Sequence, residues 1–140
     1  MDAASRLTPG LKGVADLVVS DEHTAPHVGS GKVPVLATPV LVNLLEAAAL
    51  DAVEWLLPAG HQSLGTELSV RHFAATPIGM RVRAEAELVA IQGRVLRFSV
   101  WAVDDVERIG EGAHERVVVN VARFDQRMED KARRVTRPRE

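Results

Sequence analysis

The chain has 140 residues, of which 46% are hydrophobic and 26% charged, and its formal net charge is −2. This balance is typical of one globular domain and gives no general attraction for nucleic acid or an anionic membrane. The absence of cysteine excludes disulfides, cysteine nucleophiles and thiolate metal sites. We therefore expect one cytoplasmic domain over residues 1–140, without nucleic-acid or membrane partners, with its core over about 11–124 and a polar, solvated tail over 125–140.

The N-terminal part of the chain is predicted to contain one strand and a long loop. Residues 11–19 are rich in valine and leucine, which favours a strand. Residues 20–35 are rich in glycine, serine, proline and histidine and show no apolar period, which indicates a loop. The strand side chains expected to be buried are Val14, Leu17, Val18 and Val19.

Two histidines in this loop have the spacing of metal ligands on a helix. His23 and His27 are four residues apart, but Pro26 lies between them and the composition does not indicate a helix. We therefore expect two solvated loop histidines and no metal ion.

Residues 38–57 are predicted to form one long helix that is apolar on nearly all sides. Thr38 is a good N-cap residue, Pro39 suits the first helical position, and Pro58 ends the helix. A helix of this polarity is normally buried, and its charges argue against a membrane span. Glu46 lies in the middle, between leucines and alanines, and a buried carboxylate needs a partner.

Alternating apolar residues and turn signals predict four strands after the helix. They span residues 64–72, 81–91, 95–103 and 108–124. In the first strand, Leu64 and His72 are expected on one face and Gly65 on the other, while His114 and Arg116 share a face of the last strand. The inward side chains of the second strand are expected to be Val82, Ala84, Ala86 and Leu88.

The order of these elements predicts the architecture. Successive hairpins indicate an antiparallel sheet, and one helix buried on nearly all sides needs a sheet that curls around it. We therefore predict an α+β domain with the hot-dog fold. One such domain leaves a sheet edge uncovered, so we expect a homodimer or a higher oligomer.

Three residues are candidates for chemistry. Thr38, Glu46 and His72 provide a hydroxyl, a carboxylate and an imidazole, which are the groups used in acyl transfer. Each also has a structural explanation, as an N-cap, as the partner of an arginine and as a hydrogen-bonded core histidine. The periodicity of the sequence does not show that the three side chains meet.

Three segments resemble the fluoroacetyl-CoA thioesterase family of hot-dog proteins. They are ATPVLVNLLE at 37–46, SLGTELSVRHFAATPIGMRV at 63–82 and IGEGAHERVVV at 109–119. The spacing of eight residues from Thr38 to Glu46, and of twenty-six from Glu46 to His72, fits the family.

The resemblance implies an acyl-CoA thioesterase that hydrolyses a short acyl-CoA to free acid and CoA, without a cofactor or metal. It implies that Thr38, Glu46 and His72 are catalytic. It also implies that Gly65 and Arg116 bind the substrate, the glycine through its backbone and the arginine by shaping the acyl pocket.

One segment departs from the family, and it concerns specificity. The resemblance implies that an aromatic-rich lid before the threonine helps to select the fluorinated acyl group. Residues 27–37, HVGSGKVPVLA, are shorter and contain no phenylalanine. We therefore expect no strong preference for fluoroacetyl-CoA.

Two other functions remain open from the sequence. A non-catalytic module that binds acyl groups or small ligands would keep the pocket, although it has no need of a carboxylate in the core. A hot-dog hydratase or dehydratase also uses a carboxylate and a histidine, but its Asp-x-x-x-x-His type of helix motif is absent from the sequence.

Overall fold

A computed structural model describes residues 6–135. The strands are β1 (Lys12–Val18), β2 (His61–His72), β3 (Arg81–Gln92), β4 (Val95–Asp104) and β5 (Arg108–Asn120). The helices are α1 (Ala25–Val28), α2 (Thr38–Val53) and α3 (Val121–Arg133), with short 3-10 turns at Asp21–His23 and Glu54–Leu56.

The five strands form one antiparallel sheet in the order β1-β3-β4-β5-β2. The apolar helix α2 packs against this sheet, and leucines, alanines and valines of the helix and the inner sheet face form the core. The predicted α+β hot-dog architecture is confirmed. Among residues 6–135, no helix is long and apolar enough to cross a membrane.

Helix α2 approaches β1 closely because Gly13 has no side chain. A Cβ atom at Gly13 would lie 2.2 Å from the carbonyl oxygen of Ala48 on the helix. One residue along the strand, the N–H of Val14 donates to Asp51 Oδ2 of α2 at 2.9 Å. Because the Asp51 carboxylate accepts a hydrogen bond from one backbone N–H on the outer edge of β1, that edge is partly protected from pairing with another strand.

The predicted burial of β1 is wrong for two of its residues. Val14 and Val18 are exposed, and Val19, just past the strand, is buried. The strand lies at an edge of the sheet, so only its inward-facing positions contact the helix. In contrast, the predicted inward side chains of β3 are all fully buried: Val82, Ala84, Ala86 and Leu88.

The segment 20–35 contains helix α1, which the sequence interpretation did not predict. Pro26 lies in the first turn of α1, where its missing N–H costs no hydrogen bond, and Gly29 ends the helix in the left-handed conformation. His23 Nδ1 accepts from the N–H of Ser20 at 2.9 Å, and His27 is exposed. The segment is also fixed at its base, where the N–H of Ala25 donates to the carbonyl of Val35 at 3.1 Å.

The last predicted strand is too long, because the chain becomes helical after Asn120. The Asn120 side chain accepts from the N–H of Arg123 at 3.1 Å, which caps α3. Residues 121–124 therefore belong to α3, and much of the predicted tail is an exposed helix. Residues 136–140 of that tail lie outside the described residues.

Candidate active site

The hydroxyl of Thr38 pairs with a histidine instead of capping the helix. The N-cap is Ala37, so Thr38 and Pro39 are the first two residues of α2, and the N-cap prediction for Thr38 is wrong. Thr38 Oγ1 lies 2.8 Å from His72 Nδ1 at the end of β2. The start of the long helix and the end of the following strand therefore bring these two predicted site residues together.

His72 is held as a neutral imidazole. Burial lowers the pKa of His72, and a backbone interaction at Ala74 opposes the shift. Within the described residues, His72 Nε2 is buried and has no hydrogen-bond partner. A positively charged ring would need an acceptor at this nitrogen, so the contacts also favour the neutral form.

A bulge in β2 places Gly65 on the inner face of the sheet. Gly65 pairs with Arg116 and Glu67 with Glu115, so Thr66 is an extra residue in the ladder. The alternation of side chains shifts at this point. Gly65 and His72 therefore both face inward, and Leu64 is exposed, whereas the regular alternation in the sequence predicts the opposite arrangement for Gly65 and Leu64.

Glu46 of α2 faces this bulge. Its Oε2 atom accepts from Arg116 Nη1 at 3.5 Å and lies 4.0 Å from His114 Nε2. A Cβ atom at Gly65 would lie 2.3 Å from the same oxygen, so glycine is required for the carboxylate to occupy this position. The Glu46 side chain is 38% exposed, which leaves the carboxylate accessible despite the apolar helix that carries it.

Arg116 is buried behind Glu46 and is held by β2. Its Nε donates to Ser63 Oγ at 2.8 Å, and its Nη2 donates to the Ser63 carbonyl at 3.0 Å. Ser63 in turn donates its hydroxyl to Glu54 Oε1 at 2.6 Å and its backbone N–H to Glu54 Oε2 at 2.9 Å. Burial lowers the pKa of Arg116, while the negative charges of Glu54 and Glu46 act in the opposite direction.

His114 completes this group, and its tautomer follows from its contacts. The carbonyl oxygen of Glu67 lies 2.7 Å from His114 Nδ1 and only accepts, so Nδ1 carries the proton. His114 Nε2 is then free to accept from Arg116 Nη1 at 3.1 Å. Burial lowers the pKa of His114, and the positive charge of Arg116 adds to the shift, which agrees with a neutral ring. The ring also stacks on Phe98.

The sequence predicts that His114 and Arg116 share a face of the last strand but assigns His114 no role, and it does not identify Glu54 or Ser63 as site residues. The shared face was the only available signal for His114. The contacts of Ser63 depend on the bulge in β2 and on the pairing of β2 with β5.

The five predicted site residues form two separate groups in the chain. Thr38 pairs with His72, whereas Glu46 contacts Arg116 and faces Gly65. Eight residues of helix at about 1.5 Å each separate the two groups by roughly 12 Å along α2. No hydrogen bond or ion pair within residues 6–135 joins Glu46 to Thr38 or His72.

A cavity of about 390 Å³ opens beside Thr38 and His72. Its wall includes Lys32 and Val33 from the segment before α2, and Phe73 from just after β2. Within the described residues, no three side chains of the metal-ligating types are assembled to hold a metal ion. The arrangement therefore provides a hydroxyl–imidazole pair next to a cavity and a carboxylate supported by an arginine.

The chain has the hot-dog fold of the thioesterases, and its similarity to a thioesterase of known activity identifies it as a thioester hydrolase. A model of the fluoroacetyl-CoA-specific thioesterase family matches residues 19–122, and the chain belongs to this family.

Individual relatives agree with this assignment. The fluoroacetyl-CoA thioesterase of Streptantibioticus cattleyicolor is 42% identical over 97 residues, which cover 69% of this chain and 70% of that protein. A solved structure of the fluoroacetyl-CoA thioesterase FlK is 36% identical, covers 89% of this chain and 97% of its own, and superposes with a TM-score of 0.83. The crystal structure of a hypothetical protein from Thermus thermophilus, a thioesterase superfamily member, is 28% identical. The match covers 93% of this chain and 96% of that chain, with a TM-score of 0.87.

Proposed function

We propose that the chain hydrolyses short acyl-CoA thioesters, and that Glu46, Thr38 and His72 are its catalytic residues. The observation that carries this proposal is Glu46: its carboxylate stays accessible on an apolar helix and is held against Gly65 by Arg116. Family membership supports the reaction, and a related thioesterase has been crystallised with fluoroacetate and CoA.

The chemistry assigned to each residue follows from its contacts. One water molecule is consumed, the thioester C–S bond breaks, and a carboxylic acid and the CoA thiol leave. Glu46 supplies the carboxylate, either as the nucleophile that attacks the carbonyl or as the base that takes a proton from the attacking water. The Thr38 hydroxyl, oriented by neutral His72 and lying at the positive end of α2, stabilises the negative charge that develops on the acyl oxygen.

The two groups lie roughly 12 Å apart along α2, which is too far for them to act on one thioester within a single subunit. The second part of the proposal is therefore a composite site, in which two subunits of a homodimer each contribute one of the groups. The outer edge of β2 is twelve residues long and pairs with no other strand among residues 6–135, whereas the edge of β1 is partly occupied by Asp51. Antiparallel pairing of two β2 strands about a two-fold axis near Ser69 would place His72 of one copy opposite the bulge of the other. Thr38 and His72 of one subunit then face Glu46 of its partner.

Mixing two inactive variants tests the composite site. If subunits exchange at random, Thr38→Ala mixed with Glu46→Gln is expected to recover about a quarter of wild-type kcat, because half of the dimers then contain one complete site. The matched control is Thr38→Ala mixed with His72→Ala, which leaves no complete site and should stay inactive. Failure of the first mixture to recover activity, or a folded and active monomer in sedimentation at micromolar concentration, would exclude the composite site.

A panel of acyl-CoA substrates with a free-thiol readout tests the reaction and its selectivity. We expect hydrolysis of acetyl-, fluoroacetyl- and propionyl-CoA. The values of kcat/KM for acetyl-CoA and fluoroacetyl-CoA should differ by less than about 200-fold, because one small group in an apolar pocket changes the binding free energy of the transition state by only about 1–3 kcal/mol. The segment before Thr38 offers glycines and an exposed Val33 in place of aromatic side chains, although its base is fixed by hydrogen bonds.

Two results of this panel would contradict the proposal. A fluoroacetyl preference of several thousand-fold would place selectivity in the helix and strands and refute the argument from the segment before Thr38. Absence of hydrolysis across the panel would favour a binding module and refute the thioesterase reaction.

A further inference from the structure

A second carboxylate lies behind the candidate catalytic one. Glu54, in the turn that follows α2, does not contact Glu46, but both carboxylates reach the same arginine, one directly and one through Ser63. We propose that Glu54 is a positioning residue, which holds Arg116 through Ser63 so that the guanidinium supports Glu46 without closing on it. This inference rests on the proposed role of Glu46 in hydrolysis.

The contacts fix two of the three guanidinium nitrogens. Arg116 Nε and Nη2 donate to the hydroxyl and carbonyl oxygens of Ser63, at 2.8 and 3.0 Å. Only Nη1 faces Glu46, at 3.5 Å, and it also approaches His114 Nε2 at 3.1 Å. Arginine and carboxylate usually form close pairs with two parallel hydrogen bonds of about 2.7–2.9 Å, and this pair has one long contact instead.

Glu54 determines the orientation of the Ser63 hydroxyl. This hydroxyl has one proton, which it donates to Glu54 Oε1 at 2.6 Å, so a lone pair of the oxygen is left to accept from Arg116 Nε. The second oxygen of Glu54 accepts the Ser63 backbone N–H at 2.9 Å, which holds the carboxylate in place. Loss of Glu54 would therefore release both the hydroxyl and the arginine that depends on it.

The charges around Arg116 also support a positioning role for Glu54. Arg116 is buried, and burial lowers its pKa, but the negative charge of Glu54 offsets this effect more than the charge of Glu46 does. The arginine thus obtains much of its charge compensation from the residue that takes no part in the reaction. The Glu46 oxygens remain available to a thioester because their contact with the guanidinium is a single, long one at 3.5 Å.

The test is Glu54→Gln, a change of similar size that removes the charge. We expect Arg116 to move toward Glu46, and kcat to fall by about tenfold with KM changed less than about twofold, as expected when a reacting group is misplaced by a fraction of 1 Å. The matched control is Asp51→Asn on α2, where the carboxylate also accepts a backbone N–H but serves β1. The control should lower Tm and leave kcat unchanged.

A double-mutant cycle separates positioning from general destabilisation. Lysine at position 116 lacks the guanidinium group that contacts both Ser63 and Glu46. In an Arg116→Lys background, Glu54→Gln should therefore change kcat by less than about twofold. The control Asp51→Asn should lower Tm equally in both backgrounds. If Glu54→Gln lowers Tm but leaves kcat at the wild-type value, or lowers kcat equally in both backgrounds, Glu54 does not act through Arg116 and the inference is overturned.

A measurement that needs no activity keeps this inference distinct from the proposed function. The Arg116 Nε–H should give an NMR signal protected from solvent exchange in the wild type, and the protection should be lost in Glu54→Gln. Ser63→Ala, which removes the bridging hydroxyl, provides the same readout if Glu54→Gln does not fold. An unprotected Arg116 signal in the wild type would overturn the inference even if the chain hydrolyses acyl-CoA, and a protected signal in an inactive wild type would refute only the thioesterase.

Discussion

Glu46→Gln is expected to lower kcat by about 10²-fold or more, which is the scale of a lost acid–base or nucleophilic group. The amide keeps nearly the same shape but is a poor nucleophile and a poor base. The fold should be retained, because the side chain is 38% exposed and, in the part of the chain that the structure describes, its polar contacts are limited to the long one to Arg116 Nη1 and the more distant His114. Steady-state kinetics on acetyl-CoA, together with a thermal melt of the same preparation, provide the measurement.

A second glutamate serves as the control for this change. Glu111 lies on β5, the strand that also carries Arg116, but it is exposed and pairs with Arg108 at 3.1 Å. Glu111→Gln should leave kcat within about twofold of the wild type, since exposed ion pairs contribute little. Near-normal turnover in Glu46→Gln would leave Glu46 as a structural partner of Arg116 and end its catalytic assignment.

Gly65→Ala should have an effect of similar size on kcat with little loss of stability. The new Cβ atom would lie 2.3 Å from Glu46 Oε2, far inside van der Waals contact. Because that oxygen is at the end of a flexible side chain, Glu46 moves away and the strand stays in place. We expect kcat to fall by about 10²-fold, as a misplacement of about 1 Å produces.

Two other glycines provide contrasting controls for Gly65→Ala. Among the described residues, a Cβ atom at Gly31 would meet Ala25 Cβ at an ordinary 3.4 Å, so Gly31→Ala should leave Tm nearly unchanged. Gly112→Ala would place its Cβ atom 1.9 Å from the backbone carbonyl of Ser69, which cannot rotate away, and should prevent normal folding. If Gly65→Ala keeps wild-type kcat, the position of Glu46 against β2 is not needed for turnover.

The sequence was most informative where the polarity of an element follows a regular pattern along its length. The alternation in β3 therefore predicted its buried side chains correctly, and the apolar composition of α2 predicted its place against the sheet. The motif spacing also led to the correct family. These properties are local, and each is repeated over several residues, so single ambiguities did not change the interpretation.

The predictions that failed concern residues whose type is compatible with more than one local structure. Thr38 is a good N-cap, but proline is tolerated throughout the first turn, so the helix starts at Thr38 and its hydroxyl is free for His72. Pro26 argues against a helix in the sequence, but it lies in the first turn of α1, and this helix of four residues is too short to show an apolar period. The bulge at Thr66 leaves the apparent alternation of the letters intact, so only the pairing with β5 reveals it.

The partners of Arg116 could not be predicted because they are distant in the sequence. Glu54 reaches it through Ser63, and Ser63 is fifty-three residues away from the arginine. Such contacts depend on strand register, which neither composition nor spacing specifies. The sequence identified which residue types are present for the reaction, and the fold determined which of them support one another.

The extra residue at Thr66 makes the site depend on the length of β2 as well as on its composition. Ser63 and Gly65 precede the extra residue and His72 follows it, so the two ends of the strand face the same side only when the number of residues between them is preserved. Outward-facing side chains of this strand can therefore differ freely among relatives. A gain or loss of one residue between Gly65 and His72 would turn one half of the site toward solvent. In this family, alignment gaps within β2 should therefore be rarer than substitutions.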